Sequence, residues 1–311
     1  MPMSKLRIAF VWTNGVRNKD RFNRWNDGLR AAMKIIEQTH EVTYHEPDED
    51  LPAVDWVLFW EAPCTHNSQE NGASYRKMLK NPQKTALLFA GGPIKMEWIE
   101  GFDHIFWESE CNGEEFEALG VSHSCAFGVN TDVFFPISLE KSPKEFDTVT
   151  HGTCASWKRQ WLVGEAIGEK ALVFGQPQDS DPKPFDLCRE YGATVLLEQS
   201  YRKTNKLINS AMVSVNCADE WGGGQRQTLE AMACGVPPVV MNDSPKNKEY
   251  VIDSGLGMIC NPDRQAIHNA VAESKKWQKQ QRKELRAYVL GKWSNIHYAQ
   301  ALLSVIEKDY E

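Results

Sequence analysis

The sequence predicts an α/β protein made of two Rossmann-like units in tandem, each built on a parallel sheet. Short apolar runs alternate with amphipathic stretches along the chain, the pattern of strands covered by helices on both faces. Six such runs fall in each half. Between the halves lies PISLEKSPKEF, Pro136 to Phe146, a polar segment with two prolines that reads as a linker. The units are expected at residues 1–130 and 137–296.

In the first half the strands are expected at Arg7–Trp12, Glu41–His45, Trp56–Trp60, Thr85–Ala90, His104–Ser109 and, briefly, Ser124–Phe127. Phe22, Trp25, Leu29, Met33 and Ile36 recur at three- and four-residue steps, which predicts a helix from Asp20 to Gln38. In the second half strands are expected at Asp147–Gly152, Ala171–Gly175, Thr194–Glu198, Met212–Cys217, Val236–Val240 and Leu256–Cys260. The helices between them are expected near Trp161–Ile167, Phe185–Tyr191, Arg202–Ser210, Gln225–Ala233, Lys248–Asp253 and Arg264–Trp277.

Composition narrows the function classes. Hydrophobic residues at 41% and charged residues at 25% are ordinary for a globular chain. A net charge of −7 argues against a surface that grips nucleic acid everywhere, because phosphate neutralisation dominates such binding. The apolar run that ends at Trp12 is too short for a signal segment or a membrane span, so the expected location is the cytoplasm. The eight cysteines have no paired metal-ligand spacing and read as buried free thiols. KKWQKQQRKELRAYVLGK, Lys275 to Lys292, reads as a solvated helix face; the alternative is a peripheral contact with a membrane surface or nucleic acid.

The richest chemistry lies in DEWGGGQRQTLEAMACGVPPVV, Asp219 to Val240. Gly222, Gly223 and Gly224 let backbone approach a ligand closely, and a helix opening at Gln225 directs its unpaired amides at the same place. That combination suits an anion. Glu230 lies one to two turns into the helix, where it can accept hydrogen bonds from ribose hydroxyls. Gly235 ends the helix before a short buried strand. A ligand with phosphate and ribose fits this layout.

LEAMACGVPPVV, together with GVNTDVFFP from Gly128 to Pro136 and HGTCASWKRQ from His151 to Gln160, resembles the GT-B glycosyltransferases, in particular glycosyltransferase family 4. The first segment is similar to the donor-binding signature, the second to the interdomain hinge and the third to the diphosphate-binding turn. The likeness spans residues 120–311 by motif and the first 120 by pattern alone. It implies a GT-B fold, two Rossmann-like domains with parallel sheets facing a central cleft, and a C-terminal helix, 297–311, that returns to the first domain. It also implies a retaining, metal-independent transfer from a nucleotide diphosphate sugar, most often a UDP- or GDP-sugar, with no cofactor beyond that donor.

The resemblance further assigns residues. Lys158, with Arg159, would hold the diphosphate as its charge grows during departure. Thr153 stands where the family carries an arginine, which leaves the site one cation short unless Arg159 or Arg226 supplies it. Glu230 matches the second member of the family's glutamate pair, the one that holds ribose, while Gly222 occupies the first position. Glu220, or Asp219, is the candidate replacement near the donor sugar; otherwise backbone amides of the glycine run serve. Gln225 joins the donor-binding set, and base recognition falls to Leu197 and Gln199, with Tyr201 beside them. On the acceptor side the first domain offers Thr13, Asn14, Gly15, Glu61 and His66; His123 lies too near the hinge strand. The acceptor classes left open are saccharides, small molecules, lipids, proteins and modified nucleic-acid bases. Two other readings stay open: a degenerate GT-B module that binds a nucleotide sugar without turnover, and a nucleotide-sugar epimerase of the same shape.

Overall fold

The computed structural model describes residues 5–12, 27–46, 49–60, 83–89, 99–177, 182–197, 199–220, 223 and 225–308. The chain divides into two compact units, Met1–Gly128 with Asn295–Glu311, and Val129–Ser294.

The first unit is a six-stranded parallel sheet in the order β2-β1-β3-β4-β5-β6. Its strands are β1 (Arg7–Trp12), β2 (Glu41–His45), β3 (Trp56–Trp60), β4 (Lys84–Phe89), β5 (His104–Trp107) and β6 (His123–Cys125). Central strands are apolar at nearly every position because both faces are covered, and β3 is buried throughout. Helix α1 (Gly28–Ile36) opens on Asp27, whose carboxylate accepts from the Arg30 amide at 2.8 Å. Residues 20–26 of the helix expected from Asp20 lie outside the described residues.

Several strand boundaries differ from the sequence expectation: β4 begins at Lys84 in place of Thr85, and β6 is His123–Cys125 in place of Ser124–Phe127. β5 ends at Trp107, not Ser109, because Ser109 takes the N-cap position of a helix, α2 (Glu110–Ala118), that hydropathy did not announce. Only Phe116 supplies α2 with a large apolar anchor. Gly113 lets the helix lie close on the Trp107 indole: a Cβ there would stand 2.8 Å from the ring.

A C-terminal helix, Asn295–Ile306, closes this unit by packing on α1. Trp56 is nearly fully buried, and its indole N–H donates to the Ile306 carbonyl at 3.1 Å, satisfying a helix-end acceptor. His40 Nε2 meets Glu307 at 3.0 Å on the same seam. Trp56→Phe is expected to cost about 1–2 kcal/mol of stability, from the lost hydrogen bond and imperfect packing. Urea denaturation reads it; an unchanged midpoint would mean that the indole contributes nothing to this closure.

The second unit has its own six-stranded parallel sheet, in the order β12-β11-β10-β7-β8-β9. The strands are β7 (Phe146–His151), β8 (Ala171–Gly175), β9 (Thr194–Leu197), β10 (Ala211–Asn216), β11 (Pro238–Met241) and β12 (Met258–Cys260). Helices α3 (Trp161–Ile167), α4 (Lys183–Glu190), α5 (Tyr201–Asn209), α6 (Gln225–Ala233), α7 (Pro245–Ser254), α8 (Arg264–Ser274) and α9 (Lys279–Lys292) accompany them. Val213, Val215, Val239 and Met241 share one core with Val163, Phe185, Ile267 and Val271 from the helices.

α6 ends as its sequence requires. Gly235 takes φ +67°, its amide donates to the Met232 carbonyl at 2.9 Å, and the Val236 amide donates to Ala231 at 2.9 Å, a Schellman closure. Val236 is therefore spent on the helix end, and β11 begins at Pro238 rather than Val236. The basic stretch at Lys275–Lys292 is only partly a solvated face. Arg286 donates to the carbonyls of Ala233, Thr131 and Phe134, and Arg282 to those of Gly235 and Met212, so two of its cations serve the α6 terminus and neighbouring backbone. The seven described cysteines are free. Among the described residues no helix is long and apolar enough to cross a membrane.

Candidate functional site

Counted within the second unit, the sheet runs 6-5-4-1-2-3, the doubly wound order whose direction reverses between its first and fourth strands, here β7 and β10. Ligands of such sheets lie outside the carboxyl ends of the strands at that reversal. The residues that matter are those ending β7 and β10 and the loops that follow.

Those loops are clasped together. The Asp219 amide donates to the Trp157 carbonyl at 2.9 Å, and Lys158 Nζ donates to the Gly223 carbonyl. Arg159 Nε donates to the Cys217 carbonyl at 2.8 Å, while its two terminal nitrogens each meet a carboxylate oxygen of Asp243 at 2.8 Å. Arg159 is the sole non-glycine with positive φ among the described residues, at +47°, a conformation that costs energy unless contacts enforce it. The fork-to-fork pair with Asp243 does so. Hydrogen bonding by Asp243 holds the Arg159 guanidinium above its ordinary value, and the same bonds hold the Asp243 carboxyl below its own. Arg159 is thus a brace between the loops after β7, β10 and β11, and Lys158 is the cation turned to Gly223.

Gly223 lies close to its neighbours. A Cβ on Gly223 would stand 3.2 Å from Gln225 Oε1 and 3.7 Å from Lys158 Nζ. One strand over, Gly175 at φ +153° brings the end of β8 against Gly152, where a Cβ would meet the Gly152 oxygen at 1.7 Å. Gly152 itself, at φ +102°, has open space where its side chain would be.

α6 presses its polar face on the ends of β7 and β10. Gln227 Nε2 donates to Thr150 Oγ1 at 3.2 Å and to the Val215 carbonyl at 2.9 Å. One turn later Glu230, 4% exposed, puts Oε2 at 2.8 Å from His151 Nε2. The His151 ring stacks on Phe174, with centroids 5.2 Å apart and planes 14° from parallel. Thr228 joins Asn216 and Asn247 in a buried triad with contacts of 2.8 to 3.1 Å, and Asn247 continues to Ser244. Buried polar groups persist when their bonds are made, and this set fixes α6 against the sheet.

The sequence-assigned residues fall in several states. Lys158 meets Gly223 directly, beside Gln225, the first residue of α6, and Glu230, a buried carboxylate, stands roughly 7.5 Å further along the helix axis. Thr153 is exposed, and its carbonyl accepts from Gln160 Nε2 at 2.9 Å. Glu220 is exposed and Asp219 half-buried at the end of the loop after β10. Leu197, 49% exposed, ends β9, two strands and roughly 10 Å across the sheet from His151, and Gln199 Nε2 donates to its carbonyl. Tyr201 packs its ring edge-on against Phe134. In the first unit His123 accepts from the Trp107 indole at 2.9 Å. Gly222, Gly224, Thr13, Asn14, Gly15, Glu61 and His66 lie outside the described residues.

Two residues went unassigned from sequence. His151 lies inside the segment HGTCASWKRQ, and its position as the last residue before a glycine at a strand end is the available signal. Asp243 carried none, since its partner is 84 positions away. Chemically, the arrangement offers helix amides and an ammonium to an anion, and a carboxylate to hydroxyl donors beside it. Among the described residues no group of three or more His, Cys, Asp or Glu is gathered as a metal site would require.

Comparisons with known proteins agree with this architecture. Residues 173–289 match the family described as Glycosyl transferases group 1. No curated protein matches by sequence. Among solved structures, a sucrose-phosphate synthase from Thermosynechococcus elongatus superposes with TM-score 0.76 at 12% identity, over 98% of this chain and 99% of that one. A glycosyltransferase from Rickettsia africae gives 0.73 at 13% identity, over 98% of both chains. The Anabaena protein HepE, in complex with UDP and glucose, gives 0.71 at 12% identity, over 97% of this chain and all of that one. At such identities the structural likeness establishes the fold, and the family match adds the class. The chain is a glycosyltransferase of the GT-B fold that carries a group 1 glycosyl transferase domain in its second unit.

Proposed function

We propose that this enzyme transfers a sugar from a nucleoside diphosphate sugar to an acceptor hydroxyl, with retention at the sugar carbon and without a metal ion. The observation that carries the donor assignment is the convergence of Lys158, the Gly223 turn, the start of α6 and the buried Glu230 at the reversal of the second sheet. The diphosphate lies at the turn, where Lys158 exchanges the neutral Gly223 carbonyl for a charged oxygen, a stronger partner. Ribose hydroxyls donate to Glu230, and the base extends toward the ends of β8 and β9, where Leu197 offers an apolar surface. Glu220 stands nearest in sequence to the glycine run as the carboxylate for the donor sugar.

As the glycosidic bond breaks, negative charge grows on the leaving diphosphate, and Lys158 with the helix amides opposes it. The retaining course rests on the resemblance to glycosyltransferase family 4. There the leaving phosphate takes the acceptor's proton, so no separate protein base is required. HepE's complexes with UDP and with UDP-glucose make uridine the first base to test.

The test is donor hydrolysis. The purified protein, incubated with UDP- and GDP-sugars in the presence of excess EDTA, is expected to release nucleoside diphosphate slowly, with the anomeric configuration of the freed sugar read by NMR. Release that vanishes with EDTA and returns with magnesium would overturn metal independence. Donor binding with no release under either condition would mean a module without turnover.

A further inference from the structure

We propose that His151 is a positioning residue which gives the donor site its preference for a ribose over a sugar lacking the ring hydroxyls, by holding Glu230 in its accepting geometry. The inference rests on the assignment of Glu230 to ribose made above. Three features of the pair carry it.

The first is burial. The side chains of His151 and Glu230 are 6% and 5% exposed, and the 2.8 Å contact between them is the sole hydrogen bond of the Glu230 carboxylate among the described residues. A carboxylate accepts, so His151 Nε2–H donates to Oε2, leaving Oε1 for another donor. The second is rigidity. The imidazole is fixed by the last backbone position of β7 and by the near-parallel Phe174 ring, so the carboxylate is tied to the sheet and not only to its own helix. A glutamate side chain loses substantial rotamer freedom when ordered, and a partner that orders it beforehand transfers that cost from binding to folding.

The third feature is an apparent waste. His151 Nδ1 is sealed from solvent with no hydrogen-bond partner among the described residues. A strand-end position needed only for packing would be filled more cheaply by an aliphatic residue, since an orphaned polar atom is a net cost. The imidazole is kept for the other nitrogen, whose one partner among the described residues is Glu230.

The experiment titrates calorimetrically whichever of UDP and GDP binds the wild type more tightly, together with its 2′,3′-dideoxy analogue, against four proteins: wild type, His151→Leu, His151→Gln and Glu230→Ala. The wild type is expected to favour the ribonucleotide by about tenfold or more, the scale of hydrogen bonds to a charged group. Glu230→Ala should erase the preference. His151→Leu should reduce it at least threefold or so while leaving dideoxy affinity unchanged, because only the hydroxyl contact is lost. His151→Gln should restore most of it, as its amide nitrogen can donate to the same oxygen.

If His151→Leu does not fold, His151→Asn, polar but too short to span the contact, replaces it, with the same loss expected. Full preference in a folded His151→Leu or His151→Asn protein would overturn the proposal while leaving Glu230 on the ribose. Full preference in Glu230→Ala would remove the ribose assignment itself, and the role of His151 with it.

Discussion

Glu230→Ala is expected to weaken nucleoside diphosphate binding by about 1.5–3 kcal/mol, the worth of hydrogen bonds to a charged acceptor, or about 10- to 150-fold in Kd. Two effects combine in the number measured. The ribose loses its acceptor, and His151 Nε2, buried with Glu230 as its partner, is left unsatisfied. The second effect acts on stability, and a companion variant separates it. Glu230→Gln keeps an oxygen for the imidazole but turns an NH2 group, a donor, to the ribose in place of the free carboxylate oxygen, so its loss in affinity should be accompanied by a smaller loss in thermal stability. Unchanged affinity in Glu230→Ala by calorimetry would take this residue out of the site.

Lys158→Ala should act on turnover. Removing a group that opposes charge developing in the transition state costs about 10² to 10³ in rate when it is preorganised. Lys158 is held in advance on the Gly223 carbonyl, within a loop braced by Arg159 and Asp243. The expected result for Lys158→Ala is a fall of about a hundredfold or more in kcat, with donor KM raised by less than about tenfold, since the ground-state diphosphate keeps the helix amides. Steady-state donor hydrolysis reads both. A KM raised by as much as kcat/KM falls, with kcat intact, would make Lys158 a uniform binder of donor and not a stabiliser of departure. Lys158→Arg is not expected to rescue fully, because a planar fork does not reproduce a point charge on a flexible stem.

The architecture was legible because parallel strands buried on both faces write themselves as unbroken apolar runs. β1, β2, β3 and β8 begin and end where their residues say, and so do α3 and α6. Two departures came where a residue serves the next element. Ser109 belongs to the start of α2, and Val236 closes α6 before β11 can begin. α2 itself was hidden because its stability depends on Trp107 and not on an apolar stripe of its own.

In the site, what is local was readable: the glycine run, the helix start, Glu230 and Lys158 lie in short motifs. What is relational was not. The partner of Glu230 is 79 residues earlier, and the partner of Arg159 is 84 residues later. Two arginines of a stretch that looks solvated turn inward to carbonyls of the second unit. Arg159, which the family resemblance assigns to phosphate together with Lys158, spends its donors on Asp243 and Cys217, so the two adjacent cations have different partners.

The most direct measurement is a crystal structure with a bound nucleoside diphosphate. Ribose hydroxyls are expected within hydrogen-bonding distance of Glu230, with His151 still on its other oxygen, and the diphosphate at Gly223 with Lys158 moved from the carbonyl to a phosphate oxygen. A nucleotide whose ribose is remote from Glu230, or whose phosphates lie away from the start of α6, would contradict it.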